Sequence, residues 1–342
     1  MTKKLFTYFG NKSSIASKVW ELLGTTDAYV EPFVGCGSVL LSCPYPHRFE
    51  AINDFCCHIP NVFRSVKYRP EEVIEAACYP RCEIDLHMRH DYLISQTENL
   101  KNLLMSDVKA CDPELAGWWI WGINLWIGGG WCGDSVVTNR GKALAKKPVH
   151  CNRGIFTKAL KPVHSNQGIF TKAQKPDVDS RGILNKGNRR EIITKMITDV
   201  FNRLIDVNIL YSDFERVLTP SYTTSFGTSA VFLDPPYKGY MDKSDSLYTN
   251  DNDDTWTRAR DWFLEHRNDP AYRIILCGQN DDWTDPPDDV RVHTWVGAKG
   301  MSKREERKQE RLYISKYCKE TECVSTTQTV ESENLFEEEF ES

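Results

Sequence analysis

The chain has 342 residues, of which 40% are hydrophobic and 27% charged, the ordinary balance of a globular protein that can bury a sizeable core. No run approaches the roughly 18–20 apolar residues of a membrane-spanning helix, and the first residues lack the apolar stretch of a signal peptide. Its 12 cysteines show no framework spacing, which favours a reducing, cytoplasmic setting over a disulfide scaffold.

The net charge of −5 conceals a strong asymmetry along the chain. Residues 320–342 contain eight glutamates and no lysine or arginine, so the rest of the chain carries +3. This composition predicts a disordered tail. Between Asn139 and Arg190, thirteen lysines and arginines accompany two aspartates, a local charge of +11. Such a segment is suited to nucleic-acid phosphates, and a solvated loop is the alternative interpretation.

The first predicted element is an amphipathic helix in "YFGNKSSIASKVWELL" (8–23). A loop from Tyr8 to Lys12 precedes it, and Ser13 or Ser14 is placed to cap its first turn. A lone lysine in such a loop is usually solvent-exposed. Lys12 is a candidate site residue only because other candidate loops follow in the chain.

A glycine-containing turn follows in "YVEPFVGCGSVLL" (29–41), where Gly35 and Gly37 separate a short strand from a helix. Such a turn lets backbone N–H groups approach a ligand closely. Next, "FEAINDF" (49–55) predicts a strand ending at Asp54, a position suited to bind ribose hydroxyls. The full dinucleotide fingerprint is absent, so a nicotinamide enzyme is not favoured.

The middle of the chain contains a group of cysteines and histidines and a tryptophan-rich stretch. Four potential zinc ligands, Cys78, Cys82, His87 and His90, match no standard spacing, so no metal site is predicted. The stretch 114–131 has five tryptophans, mostly core, on a predicted helix that ends at the glycines 128–130. Its apolar residues at helical spacing are Ala116, Trp119, Ile120, Ile123 and Ile127.

A 14-residue sequence then repeats over 147–188 as "KPVHCNRGIFTKAL", "KPVHSNQGIFTKAQ" and the degenerate "KPDVDSRGILNKGN". This period is too short for the usual solenoid units. Because long loops cost little extra entropy, we interpret the repeats as an expanded loop inserted in an enzyme.

After the repeats, strands and helices alternate. Helices are predicted at 189–205 and 259–267, and strands at 207–213, 230–234, 272–278 and 310–317. This alternation predicts an α/β fold with a largely parallel sheet.

The strand at 230–234 runs into "DPPY", where proline ends the strand at Asp234 because it has no N–H. A second Asp-Pro-Pro, in "TDPPDD" (284–289), has polar neighbours and no following aromatic residue, which predicts a surface turn. Ligands of open α/β sheets bind at the carboxyl ends of strands, so the first copy is the candidate site.

In their order, these stretches resemble the motifs of the Dam-like DNA adenine methyltransferases. The family has a Tyr/Trp-x-Gly-x-Lys loop, Phe-x-Gly-x-Gly, an acid, a recognition region and Asp-Pro-Pro-Tyr. Here the motifs are "YFGNK", "PFVGCG", "IND", the tryptophan stretch with the basic insertion, and "DPPY". The similarity spans roughly residues 5–318, whereas the repeats and the tail have no counterpart.

The resemblance implies a Rossmann-like methyltransferase fold with an inserted, largely helical recognition lobe. It also implies S-adenosylmethionine as methyl donor and double-stranded DNA as partner, with the target adenine flipped out of the helix. Asp54 would hold the donor's ribose and Asp213 its adenine amino group, with Phe214 packed on that ring. The full implied donor site is Tyr8, Lys12, Phe33, Gly35, Gly37, Asp54, Asp213, Phe214 and Asp234.

The implied catalytic residues are Asp234, Pro235 and Tyr237. An adenine amino group is a poor nucleophile because its lone pair is delocalised into the ring. The carboxylate of Asp234 and the carbonyl of Pro235 would accept hydrogen bonds from both amino hydrogens and so orient the lone pair toward the methyl group. Tyr237 would stack on the flipped base.

Two alternatives remain at this point. Cytosine-N4 enzymes more often have Ser at the position of Asp234, and methylators of RNA or glutamine often have Asn, so Asp favours DNA adenine without excluding RNA. A non-catalytic DNA-binding relative is disfavoured because all the motif side chains are present. We predict a catalytic domain of 1–75 and 191–318, a recognition lobe of 76–190, and the tail, 319–342.

Overall fold

The computed structural model describes residues 4–6, 8, 10–80, 82–126, 131–132, 189–236, 255–279, 282–296 and 309–320. The 14-residue repeats, most of the basic segment, Tyr237 and residues 321–342 lie outside them. Within the described part, no helix has the length and apolar character needed to span a membrane. The domain division stays a prediction.

In the part of the chain that the structure describes, seven strands form one sheet in the order β3-β2-β1-β4-β5-β7-β6. The first five are parallel to their neighbours, whereas β7 runs antiparallel to both β5 and β6. The strands are β1 (Ala28–Glu31), β2 (Phe49–Asn53), β3 (Val207–Leu210), β4 (Ser229–Leu233), β5 (Tyr272–Gln279), β6 (Arg291–Val296) and β7 (Gln309–Ile314). The predicted α/β fold with a mainly parallel sheet is confirmed.

Ten helices accompany this sheet within the described ranges. They are α1 (Ala16–Leu23), α2 (Ser38–Leu41), α3 (His58–Tyr68), α4 (Pro70–Ala77), α5 (Glu83–Ser95), α6 (Thr97–Ser106), α7 (Pro113–Ile123), α8 (Arg189–Leu204), α9 (Phe214–Val217) and α10 (Thr255–His266). The predicted helices at 189–205 and 259–267 correspond to α8 and α10.

Both faces of the sheet are covered, which explains the continuous apolar runs of its central strands. On β4, Phe232 joins the core cluster formed with α1 to α8, whereas Val231 and Leu233 join a second cluster with α9 and α10. The period of two along the strand therefore sends alternate residues into two separate cores.

Two predicted helix boundaries are wrong. The first helix begins at Ala16 after Ile15, without a side-chain cap, and the Ser13 amide instead donates to Asn11 Oδ1 at 2.9 Å. The tryptophan helix ends at Ile123, before the glycines, because the Leu125 and Trp126 amides both turn back to one carbonyl, that of Gly122.

The tryptophans of this region are mostly core, as predicted. Trp119 and Trp121 are each 1% exposed, and Trp131 is 5% exposed. Two of the four residues considered as zinc ligands, His87 and His90, pack on the ring of Trp126 with centroids 5.4 and 4.5 Å away.

Two strands also differ from the predictions. The strand predicted at 207–213 ends at Leu210, because the side chain of Asn53 bonds both the amide and the carbonyl of Ser212. Strand β6, which the sequence analysis missed, lies at the sheet edge and alternates partly buried with exposed residues. The second Asp-Pro-Pro lies in a surface turn, as predicted.

Candidate active site

Four parallel strands end at the same edge of the sheet, and each is followed by predicted site residues. Phe33 and the glycine turn follow β1, Asp54 follows β2, Asp213 lies beyond β3, and Asp234 follows β4. The carboxyl edge of a parallel sheet is where α/β proteins bind their ligands. The fold therefore brings the predicted residues to one edge.

The turn after β1 requires glycine at two positions. Gly35 and Gly37 have φ angles of +48° and +67°, in the left-handed region that disfavours other residues. A Cβ at Gly37 would also lie 3.0 Å from the ring of Phe63, and one at Gly35 would lie 3.2 Å from the ring of Tyr8. The turn is thus narrow, and Gly37 leads directly into α2.

Asp54 is bound to this turn. Its two carboxylate oxygens accept hydrogen bonds from the backbone N–H groups of Gly35 and Cys56, each at 2.9 Å. Burial raises the pKa of Asp54 to about 6, against the lowering effect of these donors, so the group is ionised at neutral pH. Asp54 thus ties the end of β2 to the glycine turn, and its predicted role toward ribose stays a prediction.

Lys12 is buried rather than solvent-exposed, with 4% of its side chain accessible. Its Nζ lies 2.8 Å from Asp234 Oδ2, 3.7 Å from Glu310 Oε2 and 2.7 Å from the carbonyl oxygen of Gly10. Its backbone N–H donates to Ser38 Oγ at the start of α2. Lys12 therefore joins the first motif loop, the glycine-turn helix and the Asp-Pro-Pro segment.

The charges around Lys12 keep its side chain protonated. Burial alone would lower the pKa of Lys12, but the nearby carboxylates of Asp234 and Glu310 outweigh it and raise the pKa above its ordinary value. At neutral pH the pair with Asp234 is therefore a buried ion pair. In the adjoining segment, Pro235 is buried and Pro236 is exposed.

Asp213 and Phe214 lie together at the far side of the edge. Asp213 caps α9 by accepting the Glu215 amide at 3.0 Å, and Arg258 on α10 donates to both of its oxygens at 3.0 and 3.2 Å. The guanidinium of Arg258 also lies 4.8 Å from the ring centre of Phe214, which is itself 5.0 Å from the ring of Phe33. This arrangement gives an aromatic pair beside a fixed carboxylate.

The sequence analysis missed four residues of this edge. Glu310 and Arg258 occur in highly charged stretches that have no motif, so no local pattern distinguishes them. Cys277, whose buried thiol lies close to Asp234 and Lys12, is part of an apolar strand and has no distinguishing pattern either. Glu31, at the end of β1, was a possible signal because it interrupts an apolar run. The list of missed residues is Glu31, Arg258, Cys277 and Glu310.

Glu31 is a carboxyl group enclosed at the carboxyl edge, 2% exposed. It accepts a hydrogen bond from the Tyr29 hydroxyl at 2.8 Å and one from the Leu40 amide at 3.2 Å. Burial raises the pKa of Glu31 to about 8, although both hydrogen bonds lower it. At neutral pH the carboxyl is therefore mostly protonated.

This shift predicts a pH-dependent stability. Because the pKa is higher in the folded state than in the unfolded chain, the protonated Glu31 stabilises the fold fully below pH 4.5, and this contribution is lost as the pH rises through about 8. Relative to Glu31→Gln, the wild type should lose about 1.4 kcal/mol of unfolding free energy per pH unit across that window. Urea unfolding of both proteins from about pH 5 to pH 8 measures the difference.

The control for this prediction is Glu72→Gln, on an exposed carboxylate paired with Arg69. Its stability should follow that of the wild type at every pH. Parallel profiles for the wild type and Glu31→Gln would show that Glu31 is ionised over the whole window.

Another titratable cluster lies away from the edge. Ligand atoms of Cys43, His47 and Glu50 come within 4.8 Å of one another, as in a metal site. However, Arg203 donates to both oxygens of Glu50, at 2.5 and 2.7 Å. A guanidinium stays charged and would repel a cation, so the cluster is a buried ion-pair network.

Comparison with known families agrees with this geometry. Residues 8–112 match the family of D12 class N6 adenine-specific DNA methyltransferases, and the match contains the Lys12 loop, the glycine turn and Asp54. No curated protein matches significantly. Over residues 8–112 the chain is thus similar to the D12 class of N6 adenine-specific DNA methyltransferases, and its Rossmann-like sheet is consistent with that similarity.

Proposed function

We propose that this protein transfers a methyl group from S-adenosylmethionine to the exocyclic amino group of adenine in DNA. The observation that carries the proposal is the buried pair of Lys12 and Asp234, 2.8 Å apart, beside the glycine turn at the carboxyl edge of the sheet. A fixed carboxylate next to a narrow backbone turn is the combination that this transfer requires.

The residues present fit such a donor. The glycine turn offers backbone without a Cβ, so a ligand can approach it closely. S-adenosylmethionine supplies a methyl group on a sulfonium cation, which a carboxylate-rich edge favours. Tyr8 and Lys12 would contact its amino-acid end, and Asp54 its ribose. Asp213 would accept from its adenine, with Phe33 and Phe214 against the ring.

Asp234 would act on the target adenine. Its carboxylate and the carbonyl of Pro235 would each accept a hydrogen bond from the adenine amino group, which orients the nitrogen lone pair toward the methyl group. The ion pair with Lys12 supports this role because it holds the carboxylate in one direction before the base arrives. Two consecutive prolines restrict the backbone that carries the carbonyl.

The DNA would supply its target as a flipped base. An amino group inside a duplex cannot reach a carboxylate at the sheet edge, so the nucleotide must leave the stack. Tyr237 would stack on the flipped base, and the basic segment 139–190 would contact phosphates. Tyr237 and nearly all of that segment lie outside the described residues, and both roles rest on sequence and resemblance.

The test is methyl transfer by the purified protein. Incubated with donor labelled in its methyl group and, in parallel reactions, with DNA or RNA from a methylation-free host, it should label N6-methyladenine in the DNA and no cytosine product after enzymatic digestion. Asp234→Asn is the matched inactive variant. Label that enters only RNA or cytosine would overturn the assignment of the acceptor, and a protein that binds no donor would overturn the whole proposal.

A further inference from the structure

Cys277 is a fully buried residue of β5 that lies beside Asp234. Phe232 on β4 and Ile275 on β5 are partners in the parallel register, and both side chains belong to the core cluster formed with α1 to α8. Because the side chains of a strand alternate between its two faces, the residues two positions further on, Asp234 and Cys277, are neighbours on that same face. Cys277 is itself a member of this cluster.

The thiol of Cys277 interacts with both members of the buried ion pair. Its S–H group donates a hydrogen bond to the carboxylate of Asp234, and the sulfur lies close to the ammonium of Lys12. Burial raises the pKa of the Cys277 thiol well above its ordinary value, and the charge of Asp234 raises it further, against the lowering effect of Lys12. At neutral pH the sulfur therefore keeps the proton that it donates to the carboxylate.

The exposure of these three side chains suits an orienting contact. Cys277 and Lys12 are 0% and 4% exposed, whereas Asp234 is 18% exposed. The carboxylate is therefore held from the protein interior while part of it remains accessible to a ligand. A neutral S–H group can also restrict the direction of a carboxylate without adding a positive charge next to it.

We propose that Cys277 is a positioning residue for methyl transfer, whose S–H group fixes the carboxylate of Asp234 in the direction that receives the adenine amino group. This inference rests on the proposed function, in which Asp234 accepts a hydrogen bond from that amino group. A carboxylate that turns away lowers the transfer rate, because the nitrogen lone pair is then no longer in line with the methyl group. Since Cys277 is inaccessible to a ligand, its effect should appear in kcat and not in donor binding.

The first test compares three replacements of Cys277. Cys277→Ala and Cys277→Val both remove the donor, the first leaving a space and the second filling it, whereas Cys277→Ser keeps a donor of similar size. The alanine and valine variants should lower kcat for methyl transfer about tenfold and change the Kd of S-adenosylmethionine less than about twofold. The serine variant should keep kcat within about threefold of the wild type.

Cys318→Ala is the matched control for the loss of a buried thiol. The Cys318 side chain also lies against β5, but near the amino end of the strand, where its sulfur is 3.5 Å from the carbonyl oxygen of Ile274. This variant should have the kcat of the wild type. Thermal unfolding of all the variants shows that each kcat is measured on folded protein.

A second measurement tests the contact itself and needs no methyl transfer. The infrared S–H stretching band of Cys277 is obtained as the difference between the spectra of the wild type and Cys277→Ser, and the same difference is recorded with Asp234→Asn in both proteins. Because a carboxylate is a stronger acceptor than a neutral amide, the band should lie at lower frequency when Asp234 is present.

The outcomes separate this inference from the proposed function. Wild-type kcat in the alanine and valine variants, or a loss that serine does not recover, would show that the thiol only fills space, and equal losses of kcat and donor binding would show the same. A band that Asp234→Asn does not move would remove the contact. A wild type that transfers no methyl group would contradict the proposed function, whereas a shifted band would still show that Cys277 holds Asp234.

Discussion

Replacement of Asp234 by asparagine should lower methyl transfer by about 10³-fold, with a smaller loss of donor binding. The asparagine amide has one oxygen that can accept from the adenine amino group, but its NH₂ would point donors at a group that also donates. It also carries no charge to balance the ammonium of Lys12, which lies 2.8 Å from the carboxylate. The loss should therefore be larger in kcat than in the donor's Kd.

The chain contains its own control for this experiment. Asp285 begins the second Asp-Pro-Pro, in the exposed turn 284–289, and has the same covalent neighbours on its carboxyl side. Asp285→Asn should have full activity and wild-type stability. If Asp234→Asn keeps near-normal turnover in the same assay, its carboxylate has no part in the reaction.

Truncation to alanine should cost stability as well as activity. Asp234→Ala removes the nearest carboxylate from a lysine that is 4% exposed, and breaking a buried pair typically costs about 3–5 kcal/mol. Glu310 remains 3.7 Å away and reduces that cost, so we expect the lower end of this range. The asparagine variant should lose less stability, which makes it the better test of the chemistry. Thermal unfolding of the two variants shows whether alanine costs more stability than asparagine.

Local sequence patterns predict part of this site. The apolar runs predict the strands, and the positions of Gly35, Asp54, Asp213 and Asp234 follow because parallel strands end at one edge. The contact between Lys12 and Asp234 is different. It depends on the strand order, in which β4 adjoins β1 at the centre of the sheet, and local periodicity does not contain that order.

The sequence analysis missed Glu310 and Arg258 for the same reason: their contacts depend on which elements are neighbours in the fold. Glu310 reaches Lys12 only because β7 lies beside β5, and Arg258 reaches Asp213 only because α10 packs near α9. Nothing in the stretches around them distinguishes either from an exposed charge. The early end of β3 has a similar origin, since a side chain from the neighbouring strand, Asn53, takes the backbone groups of Ser212.

Replacement of Gly117, inside α7, by alanine should also lower the stability of the protein. A Cβ there would lie 2.4 Å from the Cβ of Ala76 and 2.9 Å from the carbonyl oxygen of Val73, both on α4. Because one of these neighbours is backbone, α4 as a whole would have to shift. Alanine gains about 1 kcal/mol of helix propensity over glycine, but overpacking of this kind costs more. Gly117→Ala should lose about 2 kcal/mol of unfolding free energy, measured in urea.

Ala76→Gly supplies the matched control. Alone it should cost about 1 kcal/mol, because glycine weakens a helix interior. Combined with Gly117→Ala, it removes the closest clash, so the double variant should be more stable than the sum of the two losses predicts. Additive losses, or a Gly117→Ala variant as stable as the wild type, would show that the helices do not approach this closely.

The effect of Gly117→Ala should extend to the active site through the ring of Trp119. Two residues beyond Gly117 on α7, Trp119 meets the ring of Phe6 edge-on with centroids 4.7 Å apart, and Phe6 contacts the ring of Tyr8 at 6.0 Å. Tyr8, at the start of the first motif loop, is therefore linked to α7 through the ring of Phe6. A displaced α7 should weaken donor binding in the folded protein, and Ala76→Gly should recover part of the binding together with part of the stability. Recovery of stability without recovery of binding would separate the helical packing from the site.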